Sequence, residues 1–296
     1  MQKYILLLLI IVAAGSCKKN TVTAPPPAIT DKYSSRAILV ELESITLPAV
    51  NRYYFMDLGG DNSATKKFFK ARLIDIVKDS MEILKGPLPL DSLVLSGFPT
   101  HIKSASSGYW LTDFIYSDSV RVRLSGAGSG TGNRIFTASK WVGAGALGAN
   151  GSVFPISAAV QPWTKGAQIQ AYTTIRVPTG TGGFQQKTIF FLFNQKKCVV
   201  ESIHPNGGGS LPVAGTAEDI PFAIPGSSSY DWENVQNVIT YNHAVGADSH
   251  LFIDYKNWRY FKIQETNTGP MGAYGMIFHP YKSLDKLLAW PAGWKN

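Results

Sequence analysis

Cysteine is scarce in this chain, which has 2 cysteines among 296 residues. Cys17 ends an apolar leader, so Cys198 alone remains for the rest of the protein, and one cysteine cannot form an internal disulfide. The body must therefore be stabilised by its hydrophobic core. Cys198 stands between the apolar runs 190–193 and 199–200. Because apolar surroundings raise the pKa of a thiol, we predict a buried packing role for Cys198 and not a nucleophilic or redox role.

The sequence also lacks the motifs of several common enzyme classes. It contains no Gly-x-Ser-x-Gly nucleophile elbow, no His-Glu-x-x-His zinc helix and no calcium-loop pattern. The glycines of 143–148 have the spacing of a dinucleotide fingerprint, but residues 149–152 do not predict the helix that must receive the pyrophosphate. The run 126–132 lacks the Gly-Lys-Ser/Thr ending of a phosphate-binding loop. We expect no cofactor, no metal and, on balance, no enzymatic activity.

Acidic residues are missing from the middle of the chain. Residues 119–200 contain no Asp or Glu, while the formal net charge of the whole chain is +8. A one-signed region is attracted to anionic polymers such as acidic glycans, although basic residues spread over several strands would form no common patch. No motif indicates specific binding of nucleic acid. The basic residues of this region are Arg121, Arg123, Arg134, Lys140, Lys165, Arg176, Lys187, Lys196 and Lys197.

Long apolar runs are absent after residue 16, and the run before it is too short for a stable membrane-spanning helix. Residues 1–16 begin with a charged segment at Lys3 and end in small residues, which predicts a cleaved signal peptide. The segment 17–34 is polar and contains three consecutive prolines at 25–27. Such a segment cannot bury enough apolar surface to fold, so we predict a flexible linker.

The residues Ala14-Gly15-Ser16-Cys17 resemble the lipobox of bacterial lipoproteins. The resemblance covers residues 1–17 and implies that the chain is cleaved before Cys17. The thiol and the new amino terminus of Cys17 would then be acylated, which anchors the protein in a membrane. The start Ser-Cys-Lys-Lys is similar to that of lipoproteins of Bacteroidota. In such lipoproteins a residue other than Asp after the cysteine, here Lys18, implies the outer membrane. An acidic cluster after the cysteine would suggest surface display in that group, and its absence favours the periplasmic side.

The remaining segment, 35–296, is rich in β-branched and aromatic runs separated by Gly, Pro, Asn and Ser, which predicts many short antiparallel strands. We expect a mainly β fold of sandwich-like sheets, either as one unit or as two units that break near 126–151 or 206–229. The run 187–193 is apolar on successive residues and predicts a central strand. The predicted strands are 36–47, 50–57, 91–97, 109–116, 119–125, 134–141, 168–177, 187–193, 198–204, 236–243, 249–255 and 258–265.

One amphipathic helix is predicted at about 63–85, packed on the sheets. Apolar residues recur there every three or four positions, from Phe69 to Leu84, and Gly86-Pro87 should end the helix. A shorter helix is predicted near 283–288.

A hairpin over 249–265 has a register that can be derived from its turn, Lys256-Asn257. This register pairs opposite charges with each other and aromatic residues with aromatic or aliphatic ones, whereas a slip of one residue would lose both matches. The predicted pairs are Tyr255 with Trp258, Asp254 with Arg259, Ile253 with Tyr260 and Phe252 with Phe261.

Two groups of residues are candidates for function. His243, Asp248 and His250 flank one predicted loop, where two imidazoles beside a carboxylate could bind a metal or share a proton. Exposed tryptophans could stack on the apolar face of a sugar, and four of them lie in or beside predicted strand ends and loops. These are Trp110, Trp141, Trp163 and Trp232.

These observations predict a lipid-anchored binding protein of the cell envelope, with a glycan or another anionic envelope polymer as its ligand. A structural or assembly lipoprotein of the outer membrane also fits a linker followed by β units. A hydrolase built from scattered carboxylates with His243 or His250 is the third interpretation.

Overall fold

The computed structural model describes residues 36–42, 51–57, 66–89, 104–107, 111–115, 120–125, 141–142, 146–147, 151–155, 171–179, 183–205, 209, 211, 213, 215–244, 247–267 and 273–295, without side chains between 104 and 155. Cys17, the signal peptide, the linker and the predicted strand at 91–97 lie outside these ranges, as does nearly all of the strand predicted at 134–141.

The described residues form nineteen strands and two short α-helices. The helices are α1 Ile220–Ala223 and α2 Leu284–Leu287. The strands are β1 Arg36–Leu42, β2 Asn51–Asp57, β3 Lys67–Asp75, β4 Ser80–Pro89, β5 Ser104–Ser107, β6 Leu111–Ile115, β7 Val120–Ser125, β8 Trp141–Val142, β9 Ala146–Leu147, β10 Gly151–Pro155, β11 Ala171–Pro178, β12 Phe184–Leu192, β13 Lys197–Pro205, β14 Ala217–Asp219, β15 Asn237–Ala244, β16 Ala247–Asp254, β17 Arg259–Asn267, β18 Tyr274–Phe278 and β19 Lys282–Ser283.

Most strands belong to four antiparallel sheets that follow one another along the chain. The first sheet is β1-β2-β3-β4, the second β5-β6-β7-β10, the third β11-β12-β13-β14 and the fourth β15-β16-β17-β18, while β19 pairs with β17. The first strands lie together, since β5 contacts β1, β11 and β15, and β15 contacts β1 and β11. Consecutive four-stranded meanders grouped around their first strands have the layout of a small β-propeller. The expected mainly β, antiparallel fold is confirmed.

The fourth sheet packs against a neighbouring sheet on each face. Its strand β16 is buried at every position. On one face, Leu251 and Ile253 pack into a core shared with the first sheet, and on the other, Phe252 packs into a core shared with the third sheet. Side chains that alternate between the faces of a strand thus serve two cores. In the third sheet, β12 lies between β11 and β13, as predicted for residues 187–193.

The predicted hairpin is present as β16 and β17, with the predicted register. Asp254 pairs with Arg259, Ile253 with Tyr260 and Phe252 with Phe261, and residues 255–258 form the turn. Asp254 accepts hydrogen bonds from the backbone N–H of Asn257 at 2.9 Å and from Arg259 Nε at 2.8 Å. One carboxylate therefore stabilises both the turn and the first strand pair.

The helix predicted at about 63–85 is wrong, because this segment forms the hairpin of β3 and β4. The residues that point inward alternate, as in a strand, with Phe69, Ala71 and Leu73 buried. Val77, one of the apolar residues between Phe69 and Leu84 that suggested the helix, is 80% exposed in the turn. The Asp75 carboxylate accepts hydrogen bonds from the N–H groups of Val77 and Lys78, which favours a turn over a helix here.

Asp79 joins this hairpin to the fourth sheet. Its φ of 61° is in the left-handed region, which Asp adopts more readily than most residues. The buried carboxylate accepts hydrogen bonds from Lys262 Nζ at 2.7 Å, Tyr241 OH at 2.6 Å and Lys282 Nζ at 3.0 Å. Burial alone would raise the pKa of Asp79, but these donors outweigh it and hold the pKa below its usual value.

The end of the chain closes over the first sheet. The short helix α2 confirms the helix predicted near 283–288, and its N-cap Ser283 accepts a hydrogen bond from Asp285 N–H. Beyond it, the Trp294 ring packs edge-on against Phe69 with 4.7 Å between centroids. The Trp294 carbonyl accepts a hydrogen bond from Arg36 Nη2 at 3.1 Å, so the last described residues contact the first. None of the described helices has the length and apolar character needed to cross a membrane.

Candidate ligand-binding site

A β-bulge in the third sheet creates the floor of a pocket. Thr188 on β12 pairs with Ser202, but the next residue, Ile189, pairs with Val200, so Glu201 is the extra residue on β13. In a regular strand, positions 200 and 203 would point to opposite faces. The extra residue places both Val200 and Ile203 on the same face, and both line the pocket.

The pocket has a volume of about 230 Å³. Its apolar walls are Val200, Ile203, Val213 and Phe222. Its polar lining comes from Lys187 on β12, from Glu218 on β14 and from Thr216. Apolar surface with a few convergent polar groups is the usual composition of a ligand site, although this volume is below that of a site for a drug-sized ligand.

Phe222 lies at the pocket with its ring largely in solvent. The neighbouring residues Ile220 and Ala223 are buried in the core between the third and fourth sheets, and they fix the orientation of α1. This orientation leaves Phe222 on the outer side, where it is 74% exposed. A large aromatic ring held in water beside a cavity is a natural platform for a ligand with an apolar face.

The two charged groups of the pocket are both partly desolvated. Burial lowers the pKa of the Lys187 amine, with Glu218 opposing the effect. Burial likewise raises the pKa of the Glu218 carboxyl, with Lys187 opposing it. In each case removal of water destabilises the charged form.

Cys198 lies beneath this site and is fully buried. Burial raises the pKa of its thiol to about 12, so the thiolate needed for nucleophilic chemistry is not populated at neutral pH. This result confirms the packing role predicted for Cys198.

The structure does not bring His243, Asp248 and His250 together. Asp248 and His250 point towards the third sheet, whereas the His243 Nδ1 atom lies 3.1 Å from Ser249 Oγ on the opposite face of the fourth sheet. The His243 Nε2 atom contacts Gln264, which also contacts His279. Burial lowers the pKa of His243, which favours its neutral form. Ser249 is buried, so this serine–histidine contact is closed to a substrate.

Asp248 and His250 instead belong to a buried network centred on Glu265. The Glu265 carboxylate lies 3.1 Å from His250 Nε2 and accepts hydrogen bonds from Arg176 Nη1 at 2.8 Å and from the N–H groups of Arg176 and Asp248. Arg176 also contacts Asp248 at 3.3 Å. These contacts join β11 of the third sheet to β16 and β17 of the fourth. The described residues contain no group of three side chains arranged to hold a metal ion.

Of the four candidate tryptophans, the structure describes the side chain of Trp232. It is 2% exposed and packs against Phe191, Phe193 and Phe252 in the core. Trp232 is therefore a core residue and not a sugar platform. Trp110, Trp163 and the side chain of Trp141 lie outside the described residues.

The basic residues of the middle region form no shared patch where they are described. Arg176 is paired with Asp248 and Glu265, Lys196 with Glu233, and Lys197 with Asp219. Lys187 differs, because within the described residues it makes no ion pair. The charge pattern of the sequence does not distinguish Lys187 from the other basic residues. Its pocket depends on the bulge, on Val213 and on the segment 215–223, which only the fold brings together.

Comparison with known proteins identifies no family. No protein-family model matches the chain, and no curated protein matches it. A solved structure, Kluyveromyces lactis Hsv2, aligns with 84% of this chain and 98% of its own length, at 7% sequence identity and a TM-score of 0.22. A similarity this low carries no argument about fold or function.

Proposed function

We propose that this protein is a lipid-anchored binding protein of the cell envelope, which takes part of an envelope glycan or a related polymer into the Lys187–Phe222 pocket. The pocket carries the proposal, because it combines an exposed aromatic ring, an apolar floor and polar groups with hydrogen-bonding capacity. A sugar ring has one apolar face and a rim of hydroxyls, which matches this composition.

The anchor belongs to the same proposal. Acylation of Cys17 would hold the folded part at the outer membrane, on the periplasmic side, within reach of envelope polymers. The linker 17–34 would let the pocket sample a zone around the anchor. No cofactor is needed for such a role.

The test is a glycan and polyanion array probed with the full chain in detergent micelles at two salt concentrations. A specific glycan site predicts signals that persist at the higher salt, because stacking and hydrogen bonds are screened less than contacts between exposed charges. Signals that all vanish at the higher salt would reduce the interaction to nonspecific attraction by the net positive charge.

Replacing Phe222 with alanine should weaken binding of the best array ligand by roughly tenfold or more, since the contact surface of the ring is lost. Titration calorimetry would measure the change. The control is Ile277→Ala, which shortens another exposed apolar residue, on the fourth sheet, and should leave affinity unchanged. Stability should change by less than about 0.5 kcal/mol in both variants. Equal affinities of Phe222→Ala and the unaltered chain would remove this pocket from the proposal.

An assembly role is the second candidate, and one observation favours it. The β3–β4 hairpin exposes Ile74 at 55%, Val77 at 80% and Leu84 at 41%. Exposed apolar residues concentrated on one element are typical of a protein contact. If this hairpin is the functional surface, Val77→Lys should abolish association with a purified envelope partner and leave glycan binding intact. The reverse pattern would favour the pocket.

A further inference from the structure

Both charged groups of the pocket have unused hydrogen-bonding capacity in the described structure. The Lys187 amine, which can donate three hydrogen bonds, donates to the Ala223 carbonyl at 3.0 Å. Neither an ion pair of Lys187 nor a donor to the Glu218 carboxylate is found among the described residues. Partly buried polar groups gain most from a ligand that supplies their missing partners.

Lys187 and Glu218 are separated by the strand between them. Lys187 is on β12, where it pairs with Ile203, and Glu218 is on β14, where it pairs with Cys198. Two strand spacings are about 9.6 Å across the sheet. The partners of the two residues, Ile203 and Cys198, are in addition offset along β13, and this intervening strand contributes the apolar floor. The pocket thus has a positive end, an apolar middle and an end that accepts hydrogen bonds.

We propose that the pocket binds one carboxylated sugar unit, such as a uronic acid residue of an acidic envelope polymer, with the ligand carboxylate at Lys187. The sugar hydroxyls donate to Glu218 and contact Thr216, and the apolar ring face lies on Phe222. This inference rests on the proposed function and gives it a ligand class.

The size of the pocket agrees with a single unit. At ~30 Å³ per water, a volume of about 230 Å³ corresponds to about eight water molecules. That is room for one ring and its substituents, so neighbouring units of a polymer would extend into solvent.

A ligand carboxylate also explains why a lysine occupies a partly buried position in this pocket. Desolvation lowers the pKa of Lys187 although Glu218 opposes the effect, and a neutral ligand would leave the ammonium without a hydrogen-bonded countercharge. A ligand carboxylate at hydrogen-bond distance forms a charge-assisted bond, which is about twice as strong as a neutral one. Glu218 would at the same time disfavour ligands that place a second anionic group at its end of the pocket.

The experiment compares a uronic acid oligosaccharide with its carboxyl-reduced, neutral counterpart, using the full chain in detergent micelles. We expect the unaltered protein to bind the acidic form about tenfold to a hundredfold more tightly. Lys187→Met should abolish this preference, and Lys187→Arg should retain most of it. The matched control is Lys197→Met, which removes the same charge from an exposed lysine of β13 and should keep the preference.

Glu218→Gln provides an independent variant, because it leaves Lys187 in place. Glu218→Gln should lower the affinity for both oligosaccharides by a similar factor and preserve the preference for the acidic one. Circular dichroism and thermal unfolding would establish that each variant is folded.

The outcomes separate the two proposals. Equal binding of both oligosaccharides by the unaltered protein would overturn the carboxylate inference and leave the glycan proposal standing. An equal loss of preference in Lys187→Met and Lys197→Met would also overturn it, since the effect would then be general charge attraction. Failure of the unaltered chain to bind any glycan on the array would overturn the proposed function itself.

Discussion

Replacing Asp79 with asparagine should lower the free energy of unfolding by about 3–5 kcal/mol. The substitution keeps the size of the side chain, and asparagine readily adopts the left-handed backbone found at this position, so backbone strain is not added. It removes the countercharge of the buried Lys262, and it places an NH₂ group where the carboxylate accepts from Lys282. Urea unfolding, with an unchanged slope, would measure the loss.

The control is Asp219→Asn, which breaks an ion pair on the surface of the third sheet. Exposed pairs contribute about 0–1 kcal/mol, so this variant should remain close to the unaltered protein. Similar losses of stability in the two variants would show that the buried contacts of Asp79 contribute no more than an exposed ion pair.

The stability supplied by Asp79 should depend on pH. Because the folded protein holds the pKa of this carboxyl below its value in the unfolded chain, the contribution is complete at neutral pH and is lost as the pH falls through the range of the folded pKa. Asp79→Asn should therefore show a smaller loss of stability on acidification than the unaltered protein. Parallel acid unfolding curves would contradict this expectation.

Replacing Glu265 with glutamine should also cost about 3–5 kcal/mol, since it removes the charge that compensates the Arg176 guanidinium and replaces one of the two acceptor oxygens with an NH₂ group. The Arg176 guanidinium, a buried histidine and two backbone N–H groups would then share one acceptor oxygen. The N–H of Arg176 is at the free edge of β11, and Glu265 satisfies it from the neighbouring sheet. Differential scanning calorimetry and urea unfolding would both detect the change.

Asp248→Asn is the matched comparison in the same network and should behave differently. Burial and the nearby Glu265 charge raise the pKa of Asp248, which means that the fold disfavours its ionised form. An asparagine removes this repulsion, and its NH₂ group could donate to Asn242 Oδ1, an acceptor that has no described partner. We expect a change within about 1 kcal/mol at neutral pH.

The sign of the pH dependence separates the two carboxylates. A raised folded pKa, as for Asp248, makes the folded state hold its proton more tightly, so stability is lost as the pH rises through that pKa. The pKa of Glu265 is lowered, because hydrogen bonds and charge from His250 and Arg176 outweigh burial, and its contribution is lost as the pH falls. Equal losses in Glu265→Gln and Asp248→Asn would contradict this assignment.

Prediction from sequence succeeded where the interactions are local. The β16–β17 register follows from a short turn and from the pairing of Asp254 with Arg259, and both are contained in residues 254–259. The central position of residues 187–193 follows from their continuous apolar character. Both features depend on neighbouring residues in the sequence and not on contacts with distant parts of the chain.

The helix prediction failed because apolar residues at 69, 73, 76 and 77 fit two periodicities. The choice of a strand depends on β2, which pairs with β3, and on the fourth sheet, which receives Asp79. Tertiary contacts of this kind override local preference. The turn residues Asp75 and Asp79 were the local signal that favoured a hairpin.

The pocket could not be predicted for a different reason. Its floor depends on one extra residue in the pairing of β12 with β13, and sequence periodicity does not reveal which strand carries a bulge. Likewise, alternation sends Asp248 and His250 of β16 to one face and His243 of β15, with Ile239 and Tyr241, to the other. The sequence pattern alone does not show which residues of the two strands are paired.

The contact between Arg36 and Trp294 makes the order of the sheets cyclic. A short peptide would join the two ends of the described body, and new ends could then be opened in another surface loop, as circular permutation requires. If Cys17 carries the proposed anchor, that anchor could in this way be moved from the first sheet to another without altering the pocket. The position of the proposed anchor relative to the pocket is therefore separable from the fold itself.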